Sequence, residues 1–213
     1  MLDVCLIADL TARVVDAGHR IFQIHRFAPT EAAHCLRLLH WADLPTDAQV
    51  IDLGSGVGAM AAYWQTARPD LSFCLVNISA AQLAYSAFPS YCGDFCQLPY
   101  AESAFDAATF CFAIGHADRA SALASASRVL RPGGILFLYD MVRLFGDAAS
   151  METVSYVVPA REEMEQALAR AGFAVDYYME PHDDGAYGRM VLGDDYDAVF
   201  HGTIPAIWRA LKR

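Results

Sequence analysis

The sequence is short of positive charge, and that shortage is the first constraint. Lys and Arg together number 15 against 25 Asp and Glu, for a formal net charge of -10. An acidic surface repels phosphate backbones, so nucleic acid is not an expected partner. The most basic local cluster, His19, Arg20, His25 and Arg26, is small. CxxC pairs are absent among the six cysteines, Cys5, Cys35, Cys74, Cys92, Cys96 and Cys111. Cys92 and Cys96 are near neighbours, but no second ligand pair lies at zinc-site spacing, and no metal is expected. Cys74 and Cys111 sit in apolar runs, where a free thiol behaves as a small hydrophobe. Reduced thiols fit a cytoplasmic location. No apolar run approaches the roughly 20 residues of a membrane span, and no membrane partner is expected. The stretch MLDVCLIADLTARVVDAGHR lacks a basic leader and is broken by Asp3 and Asp9, so it does not read as a signal peptide. Repeats, low-complexity segments and linkers are also missing, and residues 1–213 read as a single domain.

What is present is a hydrophobic fraction of 55 % with 19 % charged residues in 213 positions, enough for a substantial core. Residues 1–46 read as helical: Leu6, Leu10, Val14 and Val15 recur at helical spacing, then Leu36, Leu38 and Leu39, with Pro29-Thr30-Glu31 as a helix entry. From 47 onward strands and helices alternate. QVIDL (49–53) reads as a strand followed by the helix AMAAYWQTA. LSFCLVNI (71–78) is the next strand, followed by SAAQLAYSAF. A short strand is expected near Tyr91, and FDAATFCFAI (105–114) is a fourth. SALASASRVL (121–130) is a helix stopped by Arg131-Pro132-Gly133-Gly134, before ILFLYDMV (135–142). REEMEQALARAG (161–172) is a helix with early acidic residues and Gly172 as its stop, then FAVDYYM (173–179) is a strand. The tail IPAIWRALKR reads as a last strand in preference to a helix. This pattern predicts an α/β fold, a mostly parallel sheet with helices on both faces.

The loop VIDLGSGVGAM (50–60) carries the strongest chemical signal. Glycines after a buried strand let backbone N–H groups and a helix N-terminus face a ligand at the carboxyl edge of the sheet. Gly54, Gly56 and Ala59 satisfy the G-x-G-x-x-A pattern of dinucleotide-binding folds. Asp52, Gly54, Gly56 and Gly58 satisfy D-x-G-x-G-x-G equally well. The loop alone leaves both open.

Three further segments favour the second pattern. They are VNISAAQL, CGDFCQLPYAESAFDAATFCFAIGHA and SRVLRPGGILFLYD. With VIDLGSGVG they resemble, in order and spacing, the motifs of class I S-adenosylmethionine-dependent methyltransferases. The resemblance is to the small-molecule branch that includes ubiquinone-biosynthesis-like, sterol and terpenoid enzymes. It runs from about residue 49 to 142, with a weaker echo over 161–179. It implies a Rossmann-like seven-stranded sheet with one antiparallel pair near the C-terminus, residues 47–213 as cofactor-binding core and residues 1–46 as a helical lid. The implied cofactor is S-adenosyl-L-methionine, with S-adenosyl-L-homocysteine as product.

The resemblance also assigns roles. Gly54, Ser55 and Gly56 border the methionyl moiety, and Asp52 meets its amino group or organises the loop. Relatives mostly carry an acid at the second strand end; this chain has Asn77, followed by Ile78, Ser79 and Gln82. Gln82 is then a ribose ligand, or a solvated first-turn residue. Asp94 accepts the adenine amino group beside Phe95, or Gly93-Asp94 is only a turn. Cys111 and Phe112 line the methionyl end, or belong to the core.

The sulfonium is already electrophilic, so position and a base are what the protein adds. His116 is the candidate base, or a residue that shapes the pocket. Tyr139, as catalytic and acceptor-contacting residue, and Asp140 are expected at the same mouth. His25 and Arg26 are candidate acceptor ligands on the lid, the plainer alternative being a helix with one solvated basic face. His182-Asp183-Asp184 reads as a solvated acidic turn. The expected acceptor is a small, partly apolar metabolite, an isoprenoid or aromatic compound with an anionic head, used by a monomer or homodimer. The alternatives are a nicotinamide-dependent oxidoreductase or a catalytically degenerate cofactor-binding subunit.

Overall fold

The computed structural model describes residues 11–12, 14–16, 18–21, 23, 25–145, 156–183, 185–193 and 195–213. Leu6 and Leu10 lie outside them. In chain order the elements are α1 (Glu31–Ala42), β1 (Gln49–Leu53), α2 (Ala59–Ala67), β2 (Ser72–Asn77), α3 (Ala80–Leu83) and β3 (Ser90–Cys92). Then follow β4 (Phe105–Cys111), α4 (Arg119–Val129), β5 (Leu130–Arg143), α5 (Arg161–Arg170), β6 (Phe173–Met179), α6 (Ala186–Leu192), α7 (Asp195–Phe200) and β7 (Thr203–Lys212).

The seven strands form one sheet in the order β3-β2-β1-β4-β5-β7-β6. The pairs from β3 to β5 are parallel, and β7 runs antiparallel to both β5 and β6. The period of two along each strand divides the core into two layers. Leu136 and Leu138 of β5 pack with Ala122, Ala126, Met164 and Leu168 of α4 and α5. Phe137 and Tyr139, between and beside them, pack with Leu38 and Trp64 of α1 and α2. Trp64 is fully buried, and its indole Nε1 donates to the Cys35 carbonyl at 2.8 Å, which ties α2 to α1. The tail read as a strand is β7.

Several expectations need correction. The helix after β2 spans only Ala80–Leu83, and β5 begins at Leu130 and runs through positions 131–134. Strand β4 ends at Cys111, not at residue 114. Phe112 adopts φ 55 and donates its backbone N–H to the Tyr139 carbonyl at 2.8 Å, which turns the chain into a 3-10 turn over Ile114–His116. Helices α6 and α7 were not expected, because at seven and six residues they are too short to show a helical period. Residues 11–12 and 14–16 are helical, but the described residues between 19 and 27 form an irregular strap. The Glu31 carboxylate accepts from the backbone N–H groups of Arg20 and Ile21 and from the Arg26 guanidinium at 2.7 Å, which fixes the strap. His25 is buried, and Arg26 lies over the Tyr187 ring at 3.2 Å, so neither belongs to a solvated basic face.

Candidate active site

A cavity of about 570 Å³ opens at the carboxyl ends of β1, β2 and β4. That size suits a nucleoside-sized ligand with a small second compound. Its floor is the glycine loop, with Gly54, Ser55 and Gly56 and the buried Asp52 beneath. The end of β2 contributes Asn77, Ile78 and Gln82, and the turn after β3 contributes Asp94 and Phe95. Cys111, Phe112 and His116 close the side after β4. The fold therefore gathers twelve of the expected site residues around one space.

The glycines are required locally. Gly54 has φ 80, and a Cβ there would lie 2.3 Å from the Ala113 Cβ. The loop thus packs directly on the turn that follows β4. Gly58, at φ 75, begins α2 as its N-cap.

The polar groups are ordered from within. Thr109 Oγ1 donates to Asp52 Oδ1 at 2.7 Å. Burial raises the Asp52 carboxyl to about 6, partly opposed by that hydrogen bond. Asn77 Nδ2 donates to the Gly56 carbonyl at 3.2 Å and to Gln82 Oε1 at 2.6 Å, while Gln82 Nε2 donates to Thr11 at 2.8 Å. Asn77 thus takes over loop support, and Gln82 is a buried part of that network instead of a solvated residue. Asp94 Oδ1 accepts from the Cys96 N–H at 2.8 Å, which orients the carboxylate at the cavity's far end. Ser55 Oγ is buried with no partner among the described residues. A buried carboxylate beneath the loop, an orphaned hydroxyl in its wall and an acidic side chain at the far end fit an amino-acid-bearing nucleoside.

Tyr139, His25, Arg26 and Asp140 do not line this cavity. Strand alternation turns Tyr139 inward, where its hydroxyl donates to the His25 carbonyl at 2.6 Å. Burial raises that hydroxyl well above the usual tyrosine range, so Tyr139 stays protonated and serves packing. Asp140 points to the opposite layer and accepts from the Tyr156 hydroxyl and the Met141 N–H. His116 is exposed, and its ring meets the Tyr156 ring edge-on at 4.5 Å. Asp183 is not a solvated turn residue: its carboxylate lies 2.7 Å from His25 Nδ1, with both side chains buried. The acidic run gave no sign of this, because the partner lies 158 positions away in sequence. Asp184 lies outside the described residues. Among the described residues no group of three ligating side chains could hold a metal ion.

Arg20, of the basic cluster read in the sequence, lines the cavity, and sequence reasoning missed Gln23, Gln97, Asp118 and Ser121, which line it too. Asp118 carried one readable signal, since its carboxylate caps α4 by accepting from the Ser121 N–H at 2.9 Å. Gln23 carried none. Its orientation comes from His34, whose Nε2 lies 2.7 Å from Gln23 Oε1. Burial lowers the His34 pKa to about 3, so the neutral ring holds that amide in place.

Sheet order and glycine loop match the class I methyltransferase fold, and the cavity lining fits the cofactor of that fold, S-adenosyl-L-methionine. Comparison with known families agrees: residues 51–138 match the "Methyltransferase domain" family. That match covers the glycine loop and the strands from β1 into β5, and the rest of the chain lies outside it. It is 29% identical over 179 residues to a malonyl-(acyl-carrier protein) O-methyltransferase of Alcanivorax borkumensis, covering 76% of this chain and 56% of that protein. It is 30% identical over 151 residues to the enzyme of the same description from Dechloromonas aromatica, covering 66% of this chain and 57% of that one. The chain thus spans little more than half the length of these relatives. Among solved structures, the (4+2)-cyclase SpnF has the same fold, with a TM-score of 0.81 at 21% identity over 97% of this chain and 94% of that one. Geranyl diphosphate methyltransferase, with GPP and sinefungin, aligns with a TM-score of 0.77 at 15% identity over 86% of this chain and 79% of the other. No helix among the described residues is long and apolar enough to cross a membrane.

Proposed function

We propose that this protein transfers the methyl group of S-adenosyl-L-methionine to a small, partly apolar acceptor. The observation that carries the reading is the single cavity in which the glycine loop, Asn77, Asp94 and the post-β4 turn converge. Asp52 and Ser55 hold the methionyl end, and Asp94 with Phe95 holds the adenine end. The bound cofactor supplies an electrophilic methyl group. Gln23 and the Phe112–His116 turn orient the acceptor and keep water from the reacting carbon. His116, exposed at the rim and braced by Tyr156, contacts the acceptor there. Met60, Phe95 and Phe112 in the cavity lining support a hydrophobic acceptor, and the named activity of the sequence relatives supports oxygen as the methylated atom.

Isothermal titration with S-adenosyl-L-homocysteine and, separately, with NAD tests this. Binding of the first and none of the second is expected. Failure of S-adenosyl-L-homocysteine to bind refutes the methyltransferase reading and leaves the oxidoreductase or degenerate-subunit alternatives. The likeness to SpnF over nearly its whole length supports one second reading, a cofactor-bound cyclase. That reading gains if the cofactor binds and is never consumed across hydroxyl, carboxylate and carbon acceptors.

A further inference from the structure

Behind the cavity wall lies a buried pair that the cofactor does not require. His25 Nδ1 and Asp183 Oδ2 are 2.7 Å apart, with side chains 5% and 1% exposed. Two of their polar atoms, His25 Nε2 and Asp183 Oδ1, are buried with no hydrogen-bond partner among the described residues. Leaving such atoms unpaired costs about 1–3 kcal/mol each, so an internal pair with two of them is poor structural glue. Its surroundings are aromatic. Phe112 stacks on the imidazole at 5.8 Å, Phe200 meets it edge-on at 5.3 Å, and Tyr196 is at 5.7 Å.

Phe112 connects this chamber to the cavity, because it lines the cavity on one side and covers His25 on the other. Its backbone is left-handed at φ 55, a conformation that costs a bulky L-residue about 1–3 kcal/mol. That turn places the ring at the boundary between the two spaces.

We propose that the His25–Asp183 pair is the proton acceptor for an acidic hydroxyl, phenolic or enolic, on the methyl acceptor, and that Phe112 is the gate through which that hydroxyl reaches it. The proposal rests on the methyltransferase reading. Asp183 accepts the Nδ1–H and thereby fixes the tautomer, so the Nε2 lone pair is free to take a proton. The acceptor O–H bond breaks, an N–H bond forms on Nε2, and the freed oxygen pair takes the methyl group as its bond to sulfur breaks. The sulfonium becomes a neutral thioether, and the proton stays on His25 as an imidazolium beside the Asp183 carboxylate. The other groups facing the ring are the hydroxyl of Tyr196, 3.4 Å from Nδ1, and the aromatic faces of Phe112 and Phe200. His25 is then a catalytic residue and Asp183 a positioning residue.

The probe is 4-nitrophenol, whose ionisation is visible by absorbance, bound to the protein saturated with S-adenosyl-L-homocysteine at a pH where the free phenol is mostly neutral. The wild-type protein should show the phenolate band of bound probe. His25→Gln should abolish it, and Asp183→Asn should reduce the bound phenolate fraction about tenfold. Affinity for S-adenosyl-L-homocysteine should stay within about twofold in both variants. Should His25→Gln fail to fold, Asp183→Asn decides, since it retains an oxygen acceptor for Nδ1. A band that survives both substitutions, or no phenolate on the wild-type protein, overturns the proposal. Loss of S-adenosyl-L-homocysteine binding by the wild-type protein overturns the methyltransferase reading instead.

Discussion

Replacing Asp52 by Asn tests whether the loop carboxylate is kept at a cost to stability. The folded-state pKa of Asp52 is about 6 against an ordinary 3.8, because burial penalises the charge more than Thr109 relieves it. Between those two pH values the folded protein holds a proton that the unfolded chain has released. Stability therefore falls as pH rises through that window, and the full cost is present above pH 6. A gap of about two units at about 1.36 kcal/mol per unit gives roughly 3 kcal/mol. Asn has the same shape, still accepts from Thr109 Oγ1 and carries no charge to bury. The difference in stability between Asp52→Asn and the wild type should move by about 3 kcal/mol in favour of the variant between pH 3 and pH 7. For a chain of this length that is roughly 6–12 °C in melting temperature. The assay is thermal or urea unfolding of both proteins across that range. With saturating S-adenosyl-L-homocysteine the gap should narrow, because the ligand's ammonium offsets the carboxylate charge. A difference that does not change with pH would refute the reasoning.

Asp94→Ala removes a charge-assisted acceptor at the cavity's far end and should weaken S-adenosyl-L-homocysteine binding roughly tenfold to a hundredfold by calorimetry. Gly54→Ala places a methyl group 2.3 Å from the Ala113 Cβ on a backbone at φ 80. It should destabilise by at least about 2 kcal/mol in chemical unfolding and abolish ligand binding. His116→Ala should leave S-adenosyl-L-homocysteine affinity within about twofold while lowering turnover; unchanged turnover would reduce His116 to a structural residue of the rim. Phe112→Gly removes the left-handed strain together with the ring over His25, so 4-nitrophenol should associate faster in stopped-flow absorbance.

Most of the sheet was legible because its physics is local. Strands inside the sheet are continuous apolar runs, and those at 49–53 and 72–77, like the edge strand at 173–179, stood within a residue of their expected bounds. The glycine loop was legible for the same reason, since a positive φ directly after a buried strand restricts residue choice. The β4 terminus was not, because FDAATFCFAI continues as an apolar run past Cys111 while the Tyr139 carbonyl turns Phe112 out of the strand. Tyr139 and Asp140 were expected to share a mouth, yet adjacent strand residues point to opposite layers.

The sequence by itself determined the α/β class, the carboxyl-edge cavity and most of the residues that line it, because strand–turn–helix units carry these within short segments. Only the tertiary structure decided what lies opposite the cofactor. The strap at 19–27, the Phe112 turn and the helices after β6 are far apart in the chain, and no local pattern marks any of them as a site. Burial converts their side chains into chemistry. His34 becomes a neutral brace for Gln23, and Asp183 becomes the partner of His25. Those contacts span separations at which one-dimensional spacing holds no information.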